Sequence, residues 1–270
     1  MPLNRVADET LRILDQGRYT PLSGREVSLR DAVAHAVQGT VLVRPGDFEH
    51  LTRPSAVPGF TIEVTPEKTG DAARRLVEQE GERRVLALNF ASAVNPGGGF
   101  LTGAKAQEED LARCSALYPC LLKWPEYYDV NRKLRSPLYT DHFIYSPDVP
   151  FFRNEHYDLL ERPFLVSLLT APAPNARQLP AGDPEVAQQL RDVLFARALK
   201  VLQVAAHHGH RTLILGAWGC GAFRNNPHDA AEAFARGLST MAGAFSRVVF
   251  AVYERDGKGP NLSTFRERFG

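Results

Sequence analysis

Two adjacent glutamates, Glu108 and Glu109, preceded by Gln107 and by three glycines, Gly97 to Gly99, form the part of this sequence best suited to chemistry. A carboxylate can hold a sugar hydroxyl, and a carboxyl group can hand its proton to a departing oxygen. Neighbouring residues on a helix diverge by about a quarter turn or slightly more, so the two side chains would do different jobs. The same residues also have a structural reading, because acidic side chains in a first helical turn favour the helix dipole by about 0.3–1 kcal/mol and often cap it.

A second glycine-rich stretch, Gly216-Ala217-Trp218-Gly219-Cys220-Gly221-Ala222-Phe223, lies far downstream. Clustered glycines strip the backbone of Cβ atoms and allow positive φ, so amides can approach a phosphate or a sugar closely. A tight strand-to-helix turn would account for either loop alone. Neither matches the usual nucleotide fingerprints: no Gly-Lys-Ser/Thr follows, and Arg224 stands where a dinucleotide loop wants its third glycine. Hydride transfer and NTP hydrolysis are therefore disfavoured.

The elements that must position these loops can be read from periodicity. Apolar runs at 85–90 and 212–215 suit strands buried on both faces, and each runs directly into one glycine loop. Helices are expected to open near Gln107, continuing through Leu121, and near Pro227. Open α/β sheets bind ligands at this end of their strands. Further helices are expected from Leu3 through Leu14 with Gly17 just beyond as a stop, at 28–38 with Ser28 as N-cap and Gly39 past the end, at about 70–79, at about 184–207 and around 262–268. Strands are expected at 40–43, 60–64, 143–145, 164–169 and 248–253, and the prolines of 171–174 suggest a surface loop. The alternation predicts an α/β layered domain with a parallel or mixed sheet, residues 1–40 forming an N-terminal helical extension of a single 1–270 unit.

Composition narrows the function classes. The 270 residues carry 32 Lys and Arg against 31 Asp and Glu, without the basic excess of a duplex-DNA binder. An anionic ligand should then be held locally, by backbone amides and helix ends. No apolar run is long enough for a membrane span, and Met1-Pro2-Leu3-Asn4-Arg5 lacks a signal-peptide core, which predicts a cytosolic protein. Three cysteines, Cys114, Cys120 and Cys220, without CxxC spacing argue against a disulfide framework and a structural zinc site.

Gly97 to Gly99, seven residues and then Gln107-Glu108-Glu109 resemble the GGG-x(6–8)-QEE signature of poly(ADP-ribose) glycohydrolases. The 216–223 stretch resembles the diphosphate-binding loop of the same family. The likeness is strongest to the compact bacterial form and runs from about residue 5 into the C-terminal region. It implies a three-layer α/β/α macrodomain fold and hydrolysis of ribose-to-ribose glycosidic bonds, releasing ADP-ribose, by a monomer needing no metal or cofactor. It implies Glu109 as general acid and then base, Glu108 as a holder of ribose hydroxyls, and Gln107 as an aid in orienting the carboxylates. Gly97, Gly98 and Gly99 would line the ribose pocket with Asn95, or with Ser92 in its place. Gly219, Cys220, Gly221 and Ala222 would cradle the diphosphate through their amides, with Phe223 against the distal ribose.

An ordinary glutamate, with a pKa of ~4.3, is ionised at neutral pH, so one acting as an acid needs partial burial or a negative neighbour. Two other activities would use the same loops: removal of single ADP-ribose units from protein or nucleic acid, and non-catalytic reading of ADP-ribose. Readers commonly lack the paired glutamates. Tyr253 is either an adenine-stacking aromatic or an edge-of-core tyrosine. Residues 123–135 interleave bases with aromatics as single-strand nucleic-acid surfaces do, although burial of the aromatics accounts for them too. His207, His208 and His210 read as a cap at the end of a long helix, and Cys220 as backbone rather than nucleophile. The segment from Asn261 to Phe269 is the candidate for blocking the far side of the terminal ribose.

Overall fold

Alternation along the inner strands divides their side chains between two cores. Leu86, Leu88, Leu213, Leu215, Val248 and Phe250 enter one core, whereas their neighbours Ala87, Ile214, Val249 and Ala251 enter the other. Strands apolar on both faces must be covered on both, which dictates helices above and below the sheet. The computed structural model describes residues 2–52 and 55–270; Met1, Arg53 and Pro54 lie outside it.

The chain opens with α1 (Leu3–Gln16), a two-residue pair of strands β1 (Arg18–Tyr19) and β2 (Val27–Ser28), and α2 (Arg30–Gly39). The sheet strands β3 (Val41–Val43), β4 (Thr61–Thr65), β5 (Leu86–Phe90), β6 (Phe143–Arg153), β7 (Leu159–Ala171), β8 (Thr212–Leu215) and β9 (Arg247–Ala251) follow in sequence. Between them come α3 (Thr69–Arg74), α4 (Gln107–Cys114), α5 (Leu117–Leu122), α6 (Pro125–Leu134), α7 (Pro184–His207) and α8 (Pro227–Thr240), and α9 (Pro260–Phe269) closes the chain. The sheet order is β3-β6-β7-β5-β8-β9-β4. Pairings from β7 through β5, β8 and β9 to β4 are parallel, while β6 is antiparallel to both β3 and β7. Helices α7, α8 and α9 cover one face, and α2 to α6 cover the other.

The central strands, the glycine stop of α1 and the span of α7 match the sequence expectation. Several expectations need correction. Ser28 does not cap a helix: it pairs with Arg18, and α2 begins after Leu29, whose N–H donates to the Gly17 carbonyl at 2.8 Å. Gly39 ends inside α2, where a Cβ would come within 2.6 Å of Pro147. The helix expected to run from Gln107 through Leu121 is interrupted at Ser115. That residue turns extended, bridges to Phe151, and its hydroxyl donates to the Leu111 carbonyl at 2.7 Å and accepts from Leu117 N–H at 3.2 Å. Helix α3 passes at Arg75 into one π turn, closed by Glu80 N–H on the Arg75 carbonyl at 3.1 Å. Strands β6 and β7 are much longer than expected, because a bulge between Ser146 and Val149 absorbs Pro147 without ending the ladder. The proline stretch 172–174 is buried rather than a surface loop, and it forms a wedge beneath the second glycine loop.

Candidate active site

Strand β5 delivers the chain to the first loop, where the Ser92 hydroxyl accepts from Val94 and Asn95 N–H and starts the turn. Gly98 N–H then donates to the Asn95 carbonyl and Phe100 N–H to the Gly97 carbonyl, with φ of +67° at Gly97 and +59° at Gly98. A Cβ at Gly98 would sit 2.3 Å from Glu109 Oε1, and one at Gly97 would sit 2.9 Å from the Phe100 ring. The triple glycine therefore makes room for a carboxylate of its own chain. Asn95 is exposed, and its side chain makes no hydrogen bond among the described residues.

The first turn of α4 is held from three directions. Gln107 accepts from Phe90 N–H at 2.8 Å and donates to the Leu88 carbonyl at 2.7 Å and the Thr69 hydroxyl at 3.0 Å, pinning the helix start to the end of β5. It positions the carboxylates through the helix and does not touch them. Glu108 accepts from Asn89 Nδ2 at 3.2 Å and from Ser92 N–H at 2.7 Å. Glu109 Oε1 accepts from Gly99 N–H at 2.9 Å, and its Oε2 is buried without a hydrogen-bond partner among the described residues. The capping explanation fails, because Ala106 is the N-cap and both carboxylates accept from loop amides rather than from α4.

Burial is the dominant influence on Glu108, which is 2% exposed, and with the neighbouring Glu109 it pushes the carboxyl up to about 8 despite the donors from Ser92, Asn89 and Gly97 that favour its ionised form. The sign of the linkage follows: between the unfolded value of 4.5 and about 8, the folded chain holds a proton that the unfolded chain has lost, so this group's contribution falls as pH rises and levels off above pH 8. Glu108→Gln should therefore show a stability, relative to the native chain, that improves steadily between pH 5 and 8. Tm scans across that range check this, a constant offset from the exchanged hydrogen bonds being removed by comparison at pH 5.

The second loop follows β8. Gly219 has φ +75° and its missing Cβ would lie 2.3 Å from Asn225 Nδ2 and 2.6 Å from Ala173. Asn225 is buried; it donates to the Pro174 carbonyl at 2.8 Å and twice to the Gly219 carbonyl, from Nδ2 at 3.1 Å and from its N–H at 3.0 Å. Trp218 is buried and donates to the Ala171 carbonyl at 3.2 Å. With the loop so fixed, the N–H groups of Gly219, Gly221, Ala222 and Phe223 donate to no acceptor among the described residues, which suits an anion. Cys220 N–H differs, closing a turn on the Ala217 carbonyl at 3.1 Å. Burial pushes the Cys220 thiol up to about 12, the opposite of what a nucleophile needs. Gly221 meets nothing within 4 Å where a Cβ would stand. Gly219→Ala should thus lower the Tm by several degrees, whereas Gly221→Ala, without a clash or a positive φ, should leave it nearly unchanged; thermal unfolding of both checks this.

Along the second loop and the start of α4 runs a cleft of about 640 Å³, bordered by Ala106, by Gln107 and Asp110 of α4, by Gly219, Gly221, Ala222 and Phe223, and by Tyr253 and Asn261. Glu108 and Glu109 do not form its wall; they lie beside it, one and two residues beyond Gln107. Tyr253 falls after β9, 54% exposed, with Lys68 Nζ 5.8 Å from its ring centre. The cleft also presents Asp110, which accepts from the Tyr157 hydroxyl at 2.6 Å and pairs with Lys68 at 3.5 Å. Sequence reasoning missed Asn89, Asn225 and Asp110. A lone Asn inside the apolar run 86–90 was the available signal for the first.

Across its full length the chain is 48% identical to the poly(ADP-ribose) glycohydrolase of Thermomonospora curvata, covering 99% of both chains with a TM-score of 0.92. The family profile of the microbial-type PARG catalytic domain matches residues 7–154. The chain belongs to the microbial-type poly(ADP-ribose) glycohydrolases. It is thus a glycosidase with the macrodomain-like fold. The T. curvata glycohydrolase bound to the inhibitor ADP-HPD superposes with a TM-score of 0.91 at 48% identity and 99% coverage of each chain. The Deinococcus radiodurans glycohydrolase in complex with ADP-ribose gives 0.81 at 48% identity, over 87% of this chain and 96% of that one. No curated protein sequence matches.

The remaining sequence candidates have structural work in this glycohydrolase. His210 Nε2 meets the Tyr145 hydroxyl at 2.8 Å and its Nδ1 the Arg84 carbonyl at 2.6 Å, while His208 stacks on Tyr145, its ring centre 3.6 Å away. No group of three or more His, Cys, Asp or Glu that could hold a metal occurs among the described residues. Tyr127 and Tyr128 are buried on α6, and Trp124 donates to the Thr40 carbonyl at 3.1 Å. No helix among the described residues is long and apolar enough to cross a membrane.

Proposed function

We propose that this glycohydrolase cleaves the ribose-to-ribose bond of poly(ADP-ribose) through Glu109. The observation that carries the reading is the asymmetry of that carboxyl: Oε1 is held by Gly99 N–H, and Oε2 is buried without a partner among the described residues. One oxygen fixes the geometry and the other is free to move a proton. Glu109 donates to the departing ribose oxygen as the bond to the anomeric carbon breaks. Its carboxylate then takes a proton from the water that attacks the same carbon. Glu108, tied to Asn89 and Ser92, holds ribose hydroxyls at the loop. The free amides of 219 and 221–223 hold the diphosphate, and Phe223, 5.9 Å from the Tyr139 ring, flanks the distal ribose.

In this reading the whole chain is one catalytic unit and residues 1–40 an extension that braces α4. Ala7 of α1 packs with Phe100 and Ala112, and the Thr10 hydroxyl donates to the Arg113 carbonyl at 2.7 Å. The enzyme works as a cytosolic monomer, which light scattering at working concentration tests for the monomer. The activity is tested by incubating the protein with poly(ADP-ribosyl)ated and with mono(ADP-ribosyl)ated target and following ADP-ribose release. Loss of polymer supports the reading, release from the mono-modified target alone replaces it with the mono-ADP-ribosyl hydrolase, and binding without release would leave a reader.

A further inference from the structure

Of the basic residues at the end of α6, Arg132 lies against the loop that holds Glu109, and Lys133 and Arg135 follow it in the chain. Arg132 Nε donates to the Val94 carbonyl at 2.9 Å, and Val94 precedes Gly98 by four residues, a reach of at most about 14 Å of chain. Arg132 also pairs with Asp129 at 2.8 Å, the only acidic partner of this cluster among the described residues. Lys133 and Arg135 are exposed and make no hydrogen bond or ion pair among the described residues. Cations in a last helical turn favour the helix dipole, which accounts for Arg132 and Lys133 as residue types. It does not account for Arg135, which follows the helix with φ +51°, nor for the cluster's place beside the catalytic loop.

The segment after α6 continues toward the second loop. The Pro137 carbonyl accepts from Asn175 N–H at 2.7 Å, and the Tyr139 ring lies beside Phe223. The basic cluster Arg132, Lys133 and Arg135 thus stands at the first loop, and the uncharged stretch after it leads to the edge of the anion-binding loop. In the proposed function the terminal ADP-ribose unit occupies the cleft and the scissile bond lies at Glu109, which Gly99 N–H holds, so the rest of the chain, with two negative charges for each diphosphate, would leave on the side of the loop bearing Gly97 to Gly99.

We propose that Lys133 and Arg135, with Arg132, bind a diphosphate of the departing polymer chain, a subsite beyond the cleavage point. This rests on the polymer-cleaving function above and names the surface that recognises the part of the substrate outside the cleft. The cluster confers preference for long chains and makes polymer turnover sensitive to salt, while binding of monomeric ADP-ribose by backbone amides is not.

The test is the double variant Lys133→Gln/Arg135→Gln, which leaves the Arg132 bond to the loop in place. KM and kcat are measured on long protein-free poly(ADP-ribose) at 50 to 200 mM salt, beside the Kd for ADP-ribose. The expected result at low salt is a KM raised about 3- to 10-fold with kcat and ADP-ribose Kd unchanged, and a slope of log KM against log salt reduced by about 1. A polymer KM and salt slope equal to those of the native chain overturn the subsite, as does an equal loss of ADP-ribose affinity, which marks a distorted cleft. If the variant loses single-stranded DNA binding while its polymer KM stands, the cluster serves nucleic acid and the proposal fails. Native protein inert on polymer removes the functional reading and the subsite together, whereas cleavage with an unaltered variant removes the subsite alone.

Discussion

Glu109→Gln should lower kcat on poly(ADP-ribose) by about 10²–10⁴-fold and leave ADP-ribose affinity within a few-fold, as measured by product release and calorimetry on the same preparation. Loss of a positioned proton donor costs that range when the rest of the site is intact. It should stay intact here, because an amide oxygen can still accept from Gly99 N–H at the place of Oε1. The change replaces the ionisable oxygen Oε2, which has no partner among the described residues, by an amide NH₂ that cannot deliver a proton. Full activity in Glu109→Gln together with its loss in Glu108→Gln would exchange the two roles.

Gly98→Ala carries the second large effect, and its cause is steric. The new methyl would lie 2.3 Å from Glu109 Oε1 and 3.2 Å from Glu108 Oε2, at a residue held at φ +59°. Such a backbone costs an alanine roughly 1–2 kcal/mol. Relief of the clash must then move the Glu109 carboxylate or the loop that fixes it, and displacements of about 1 Å at a reacting group cost on the order of 100-fold in rate. We expect kcat to fall about 100-fold or more with a Tm lowered by a few degrees. A crystal structure of the variant showing Glu109 undisturbed and a rate near native would remove the steric account. Gly46→Ala, with open space, no positive φ and a place outside the cleft, is the control.

These two residues mark the boundary of what could be read without coordinates. The glycines and glutamates were legible as a constellation, through their spacing and the strand before them. Their mutual dependence was not. Sequence reading assigned Gly97 to Gly99 to the ligand, whereas the structure adds that Gly98 lies against the carboxylate ten residues or so downstream. Gln107 was expected to help orient the carboxylates, and its hydrogen bonds tie the start of α4, which carries them, to the end of β5. Residues 172–174 were expected on the surface because prolines cannot join a central ladder. They are buried because the two outer carbonyls have donors waiting, Arg197 at Pro172 and Asn225 at Pro174.

Local pattern determined what depends on neighbours along the chain. The two-sided apolar runs at 85–90 and 212–215 dictated buried strands, the glycines after them dictated loops with exposed amides, and the near-neutral charge ruled out recognition by a global positive field. Neutrality of the whole, however, concealed a local asymmetry: Lys133 and Arg135 stand without ion-pair partners among the described residues, while Glu63, Glu67, Glu80 and Glu82 are engaged with Arg75 and Arg247 at the other flank. Which cations remain free for a polyanion depends on which carboxylates the fold brings within 4 Å of them. That pairing, like the meeting of Gly98 with Glu109 and of Asn225 with Gly219, is set by the docking of distant or turned segments, and only the tertiary structure decides it.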